Sequence, residues 1–259
     1  MIIDHHEHVG SSPPAGFGLP ADTLFERMPV AGGGTCDLAM VAVPTAEAAE
    51  HDIAVAEALA AAGTWAATAG AAPPLVLPLY GTCVVWSPGR CVAVAPPDRL
   101  PALRNAIVEF ADLDAELRDI ERRVAASLEH LDGDAPLAFM FDAQALPRRP
   151  ELAARFSEVV SLRRRLAVLA PQATRPAPQP PTLAGQIGER LRERTRVGER
   201  LEHAVEQAEL LERVYAGCGD RAAEFEVSRR HLALEWVLVV LLATEVLLIT
   251  VDLLAASGS

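Results

Sequence analysis

Between residues 232 and 254 the sequence is almost continuously apolar. Wound as an α-helix, these twenty-three residues rise roughly 34 Å, which matches the hydrocarbon core of a bilayer. Twelve Leu, Ile or Val side chains between Leu234 and Val251 contribute about −5 kcal/mol on the insertion scale, and Glu245, near the middle, costs about 2.5–3 kcal/mol. Insertion therefore wins by about 2 kcal/mol. Glu235 and Asp252 fall near the two ends, where a carboxylate reaches the interface at lower cost. Trp236 suits the interfacial belt, while Arg229 and Arg230 lie just upstream and no basic residue lies downstream. The positive-inside rule then assigns the preceding bulk to the cytoplasm, as a single-pass protein of the cytoplasmic membrane, and residues 255–259 to the far side. The competing reading is a buried helix of a soluble bundle, which is also apolar on every side.

The remaining composition narrows the chemistry. An apolar fraction of 51% supports a packed core and excludes wholesale disorder. All 23 basic residues are Arg, so a Schiff-base lysine and a phosphate-binding P-loop lysine are both excluded, since each needs that amine. The net charge of −12 argues against nucleic acid as a partner, because such binders carry a basic face. Cys36, Cys83, Cys91 and Cys218 have no metal-ligand spacing and read as buried free thiols. The first residues lack the basic flank and apolar run of a secretory signal.

Residues 1–35 are rich in Gly and Pro and read as a flexible leader, with Gly32-Gly33-Gly34 following no strand. A small α+β domain is expected over 36–97. Its parts are a strand at 36–43, an Ala-rich helix at 46–62, strand candidates at 75–80 and 82–86, and a third at 91–95. Ser87-Pro88-Gly89-Arg90 reads as a turn that sets Trp86 opposite Cys91 and Cys83 opposite Val94, with the two sulfurs on opposite faces.

The period then changes. Leu103, Ala106, Phe110, Leu113, Leu117, Ile120, Val124, Ser127 and Leu131 form a narrow seam on a helix of about thirty residues within a helical region at 98–170. A second helix there carries Leu152, Phe156, Val159, Leu166 and Leu169 on one side. A Pro-rich linker is expected at 171–182. A heptad stalk follows at 183–231, its seam running through Val197, Leu201, Leu211, Tyr215, Phe225 and Leu232 and continuing in register into the apolar run. It predicts one long helix, or two if Gly217 and Gly219 introduce a bend. Packing against the 99–131 helix competes with a homo-oligomeric coiled coil for this seam. Arg190, Arg192, Arg194, Arg196 and Arg200, interleaved with Glu189, Glu193 and Glu199, read as solvated helix pairing, with an anionic partner as the sharper alternative.

One motif hints at catalysis. Ile3-Asp4-His5-His6-Glu7-His8-Val9-Gly10 resembles the opening of the amidohydrolase-like metal hydrolases, which implies His6 and His8 as ligands to a divalent metal at the end of a first barrel strand. Residues two apart on a strand do share a side. His51, His130, His203 and His231, however, all fall on predicted helices, whereas a (β/α)8 barrel needs further ligands from later strands.

Two other stretches carry a broader resemblance. Leu234-Glu235-Trp236-Val237-Leu238-Val239-Val240 with Thr244-Glu245-Val246-Leu247-Leu248, and Leu79-Tyr80-Gly81-Thr82-Cys83-Val84-Val85-Trp86 earlier, are similar to motifs of the family named "required for meiotic nuclear division", as in a distant bacterial relative. The resemblance implies a C-terminally membrane-anchored coiled-coil protein with no known catalytic centre, whose mitochondrial members tether the translation machinery. The fold class expected is thus α+β: a small α+β domain, long amphipathic helices and one C-terminal transmembrane helix. The function expected is a non-enzymatic, cofactor-free scaffold or tethering factor whose partners are the lipid bilayer, a second copy and an unidentified protein. The alternatives are a metal-dependent hydrolase using His6 and His8, and a soluble helical-bundle interaction protein.

Overall fold

The computed structural model of the chain describes residues 23–44, 53–68, 73–176 and 179–257. Short apolar runs, punctuated by Gly and Pro, form β1 (Leu24–Val30), β2 (Gly34–Ala42), β3 (Leu75–Leu79), β4 (Thr82–Ser87) and β5 (Arg90–Ala95). They form one sheet in the order β1-β2-β5-β4-β3. Only the β2–β5 pair is parallel. The connection between these two holds helix α1 (Ile53–Ala67) and the β3–β4 hairpin.

The turns explain the register. Tyr80 and Gly81 both take positive φ (48° and 68°), which two-residue hairpins need to match the strand twist. At the next turn Gly89 sits at φ +81°, so Trp86 pairs with Cys91 and Cys83 with Val94, as the sequence predicts. Pro29 and Pro78 stand on the edge strands β1 and β3, where a missing N–H costs the ladder least.

Residues 24–35 correct the expected leader. They form β1, a tight turn and the start of β2, because Gly32 and Gly33 (φ 75° and 77°) fold the Gly run into a hairpin. Phe25 then meets Trp65 of α1 edge-on, with centroids 6.2 Å apart, and Glu26 accepts a hydrogen bond from Arg104 Nε at 2.6 Å. Residues 1–22 of that leader, with His6 and His8, lie outside the described residues, as do residues 45–52 at the start of the expected Ala-rich helix.

One sheet face holds Ala39, Val41, Cys83, Val85, Val92 and Val94, packed with Val55, Ala62, Trp65 and Ala66 of α1. The spacing of these α1 residues is that of one helical face. The opposite face meets α2 (Leu100–Leu128), with Trp86 against Phe110 at 4.8 Å between ring centroids. The expected α2 seam is buried from Leu103 to Val124.

Beyond α2 come a short α3 (Leu131–Asp134), 3-10 turns at Ala135–Ala138 and Leu146–Arg148, α4 (Arg149–Ala173), α5 (Leu183–Arg194) and α6 (Val197–Ser257). The linker expected from residue 171 begins later, since α4 includes Pro171 and ends at Ala173. Thr182 caps α5, its Oγ1 accepting the Gly185 N–H at 3.1 Å. The stalk does divide into two helices, but at Thr195-Arg196, where Arg196 takes φ +53°, and not at the glycines. Gly217 lies inside α6 and serves close packing: a Cβ there would come within 3.2 Å of Ala138 Cβ.

The chain separates into two compact units, one of residues up to Val124 with Arg163–Glu206, the other of Ala125–Leu162 with Gln207–Ser259. The architecture is α+β: one sheet at the N-terminal side, then helices ending in a long apolar one.

Candidate membrane anchor

Helix α6 changes character along its length. In the first unit its opening turns are tied down by arginine forks. Arg200 donates to both oxygens of Glu121 (2.8 and 2.7 Å) and to buried Asp114 at 2.7 Å, which also accepts from Arg118 at 2.7 Å. Burial works against the Arg200 cation, but the hydrogen bonds it donates to Glu121 and Asp114 outweigh it and raise its pKa. Arg165 of α4 grips Glu116 and Asp119 of α2 in the same way, each at 2.7 Å. Such planar two-point contacts are what Arg offers and Lys does not. Two arginines of α5 are also engaged: Arg190 binds Glu193 at 2.7 Å and Arg192 donates to the Arg175 carbonyl at 3.0 Å.

In the second unit the seam of α6 closes on Asp134. This carboxylate is fully buried, ion-paired with Arg148 and Arg155 and hydrogen-bonded by the Tyr215 hydroxyl at 3.2 Å. Burial, with the Asp134 charge adding to it, pushes the Tyr215 phenol up to about 12. Cys218 sits beside it, its thiol 3.6 Å from the Asp134 carbonyl. Asp134, Arg148 and Arg155 stand in no motif of the sequence, and only the fold brings them together. The polar tip of Tyr215 at a seam position was the available signal, because a buried phenol needs a partner.

The predicted stalk residues therefore separate. Val197, Leu201, Leu211 and Tyr215 are buried within the single chain, together with Ala204, Ala208, Cys218 and Ala222. Phe225 is half-buried against Phe141, at 6.1 Å between centroids. Leu232 is exposed. As far as Ala222 this face is buried inside the chain, the intramolecular one of the two packings that compete for the seam.

After Glu226, held by Arg149 at 2.6 Å and Arg230 at 2.5 Å, packing ends. Arg229 is exposed and makes no ion pair among the described residues. From Leu232 to Ile249 every large apolar side chain is more than half exposed, Trp236 at 68% among them. The most apolar window has a mean hydropathy of 2.4 and none of it is buried. The two hydroxyls in this stretch are satisfied by the helix itself, Thr244 donating to the Val240 carbonyl and Thr250 to that of Val246, each at 2.7 Å. That economy suits a solvent without water, where an unmatched polar group costs several kcal/mol. Glu245 is exposed and has no partner among the described residues. The segment is thus a helix long and apolar enough to cross a membrane, its backbone bonded internally and its side chains facing outward.

Elsewhere the chemistry is quiet. Among the described residues no group of three or more His, Cys, Asp or Glu is placed to hold a metal. The sheet is mixed and five-stranded, unlike the parallel barrel that the His6 and His8 reading requires. Cys36, Cys83, Cys91 and Cys218 are all free and buried. Burial pushes Cys36 up to about 12, with help from Asp37, and Cys83 up to about 11, and it raises Cys91 well above the usual thiol range.

No protein-family model matches the chain, and no curated protein matches it.

Proposed function

We propose that this protein is a non-enzymatic scaffold or tethering factor, fixed to the cytoplasmic membrane by residues 232–254 with its folded units in the cytoplasm. The observation that carries the reading is the contrast along α6: a seam packed as far as Ala222, then a segment apolar on every side with no protein around it. A soluble bundle would have to cover that surface, since contiguous exposed apolar patches beyond a few hundred Å² are rare on soluble proteins. Arg229 and Arg230 just before the segment, with no basic residue among the five that follow it here, support the cytoplasmic orientation. Self-association is assigned to the span, where Glu245 and Asp252 stand seven residues apart and share a helical face. The resemblance to a tethering family agrees with this role.

The test is cross-linking in intact membranes followed by purification, with protease added to sealed inside-out vesicles. The reading expects a defined protein partner in the cross-linked product and digestion of residues 23–226 in those vesicles. Protection of the folded units there would contradict the orientation. Metal-dependent hydrolysis lost on His6→Ala would replace the scaffold with the hydrolase.

A further inference from the structure

The exposed end of α6 carries a second seam. Each residue of the first seam from Phe225 to Val246 is followed, two residues on and therefore about 200° round the helix, by a residue on the far side. These are Val227, Leu234, Leu238, Leu241, Glu245 and Leu248, with His231 in the one remaining place. They repeat at alternating intervals of four and three residues, the period at which two helices stay in contact along a left-handed crossing. The five aliphatic side chains are all more than half exposed, from 53% at Val227 to 66% at Leu234, and His231 and Glu245 are exposed as well. Val227 continues this face about 7 Å back from the start of the apolar run, where hydrocarbon does not cover it. The chain's own packing leaves the face open, because Ala222 and Phe225, which the second unit covers, stand on the other side. The continued first seam asks nothing of a neighbour, since Thr250 on it already donates to the Val246 carbonyl. Glu245 does: in mid-span its carboxyl has no partner among the described residues, and lipid offers none.

We infer that this second seam is where two copies of the chain meet as a parallel pair, with Glu245 of each copy hydrogen-bonded to Glu245 of the other in mid-membrane. This rests on the reading of residues 232–254 as a self-associating span, and adds the face and the contact. A second copy fits the face for three reasons. Two copies that enter the bilayer from the same side are parallel, so every position meets its own counterpart, and Leu234, Leu238, Leu241 and Leu248 supply four matched layers. A carboxyl that donates its proton to a facing carboxyl is bonded by the same group at the same depth, so Glu245 finds in its counterpart what it lacks. An unrelated helix would have to bring a polar group to that one level. Finally, a lone polar residue within an apolar seam fixes register and the number of helices, and from Leu234 to Leu248 Glu245 is the one polar residue of this seam.

The test is oxidative cross-linking of the full chain in phosphatidylcholine vesicles, with one new cysteine at a time; the native thiols are buried. Leu234→Cys, Leu238→Cys and Leu241→Cys report on the second seam, and Trp236→Cys, Val239→Cys and Ala243→Cys on the continued first seam. The expected result is a covalent dimer at 234, 238 and 241 that clearly exceeds the product at 236, 239 and 243. A dimer at 234, near one end of the span, forms only between parallel helices. In the Leu238→Cys chain, Glu245→Leu should weaken dimerisation about threefold to thirtyfold, the range of an interhelical hydrogen bond in lipid. Glu245→Gln, which still donates and accepts, should keep most of it. Equal product on the two faces, no product at any position, or no loss with Glu245→Leu would overturn the inference. Product on the first seam alone would also overturn it, while leaving self-association through the span in place. Alkaline carbonate treatment of the same vesicles tests the anchor separately: protein that stays with the lipid but does not cross-link leaves the span standing, whereas protein that is released overturns the span and the inference together.

Discussion

Replacing Leu241 and Leu242 by Arg separates a lipid-facing helix from a core helix more sharply than any truncation. Both side chains are exposed, 64% and 53%, and both sit near the middle of the apolar segment. Each substitution removes about 0.5 kcal/mol of favourable transfer and adds about 2.5–3.5 kcal/mol of cost at the bilayer centre. The pair therefore shifts insertion by about 6–8 kcal/mol, from roughly −2 to about +5 kcal/mol. At about 1.4 kcal/mol per tenfold, a mostly inserted segment becomes one that essentially never inserts. Residues 226–257, placed in a translocated host protein between two glycosylation acceptor sites, report this directly. One modified site is expected for the native segment and two for the variant. In the whole protein the two arginines touch nothing in either unit, so far-UV circular dichroism and the thermal midpoint of the folded part should stay unchanged in detergent. Loss of the folded part on substitution, or continued insertion of the variant, would refute the reasoning.

Four further outcomes follow from named contacts. Asp134→Ala removes the fully buried acceptor shared by Arg148, Arg155 and Tyr215 and should cost about 3 kcal/mol in a urea titration; an unchanged midpoint would mean the cluster holds nothing together. Arg200→Lys keeps the charge but loses the fork on Glu121 and Asp114. It should cost about 1–2 kcal/mol, while Arg190→Lys, on an exposed pair, should be close to neutral. The thiols set an alkaline limit. The folded state holds the Cys36 and Cys83 protons up to about 12 and about 11, and the unfolded chain releases them above the ordinary value of 9.0. Stability is thus complete below pH 9 and falls as pH rises towards those values, by about 1.4 kcal/mol per pH unit for each thiol; Cys36→Ala should flatten the pH dependence of the urea midpoint. Energy transfer between differently labelled copies in vesicles should drop for Glu245→Leu and persist for Glu245→Gln, and equal transfer in both would remove Glu245 from the contact.

Period-based signals survived into the structure. The short apolar runs of β2–β5, the Pro88-Gly89 turn with its Trp86–Cys91 register, the α2 seam from Leu103 to Val124 and the exposed apolar end of α6 are each written in a local pattern. β1 was hidden because its seven residues hold Glu26, Arg27 and Pro29 in one short edge strand, and because Gly32-Gly33-Gly34 looks like loose chain until a partner strand closes it into a turn. Gly217 signals a bend by propensity, yet its role is the close approach to Ala138, which only tertiary packing reveals. The seam of α6 said that one face is buried without saying by what. A heptad is satisfied equally by a second copy and by residues of the same chain. Asp134 was illegible for a different reason: its partners Arg148, Arg155 and Tyr215 lie 14 to 81 residues away, and apart from the phenol at a seam position no local pattern marks them.

The measurement that bears most directly on the account is extraction of membranes from cells expressing the full chain. High salt and then alkaline carbonate strip peripheral proteins and leave only those whose helices cross the bilayer. The account predicts that the protein stays in the pellet through both washes and is released only by detergent. Recovery in the carbonate supernatant would show that the exposed end of α6 is covered by protein and not by lipid, and would contradict the anchor.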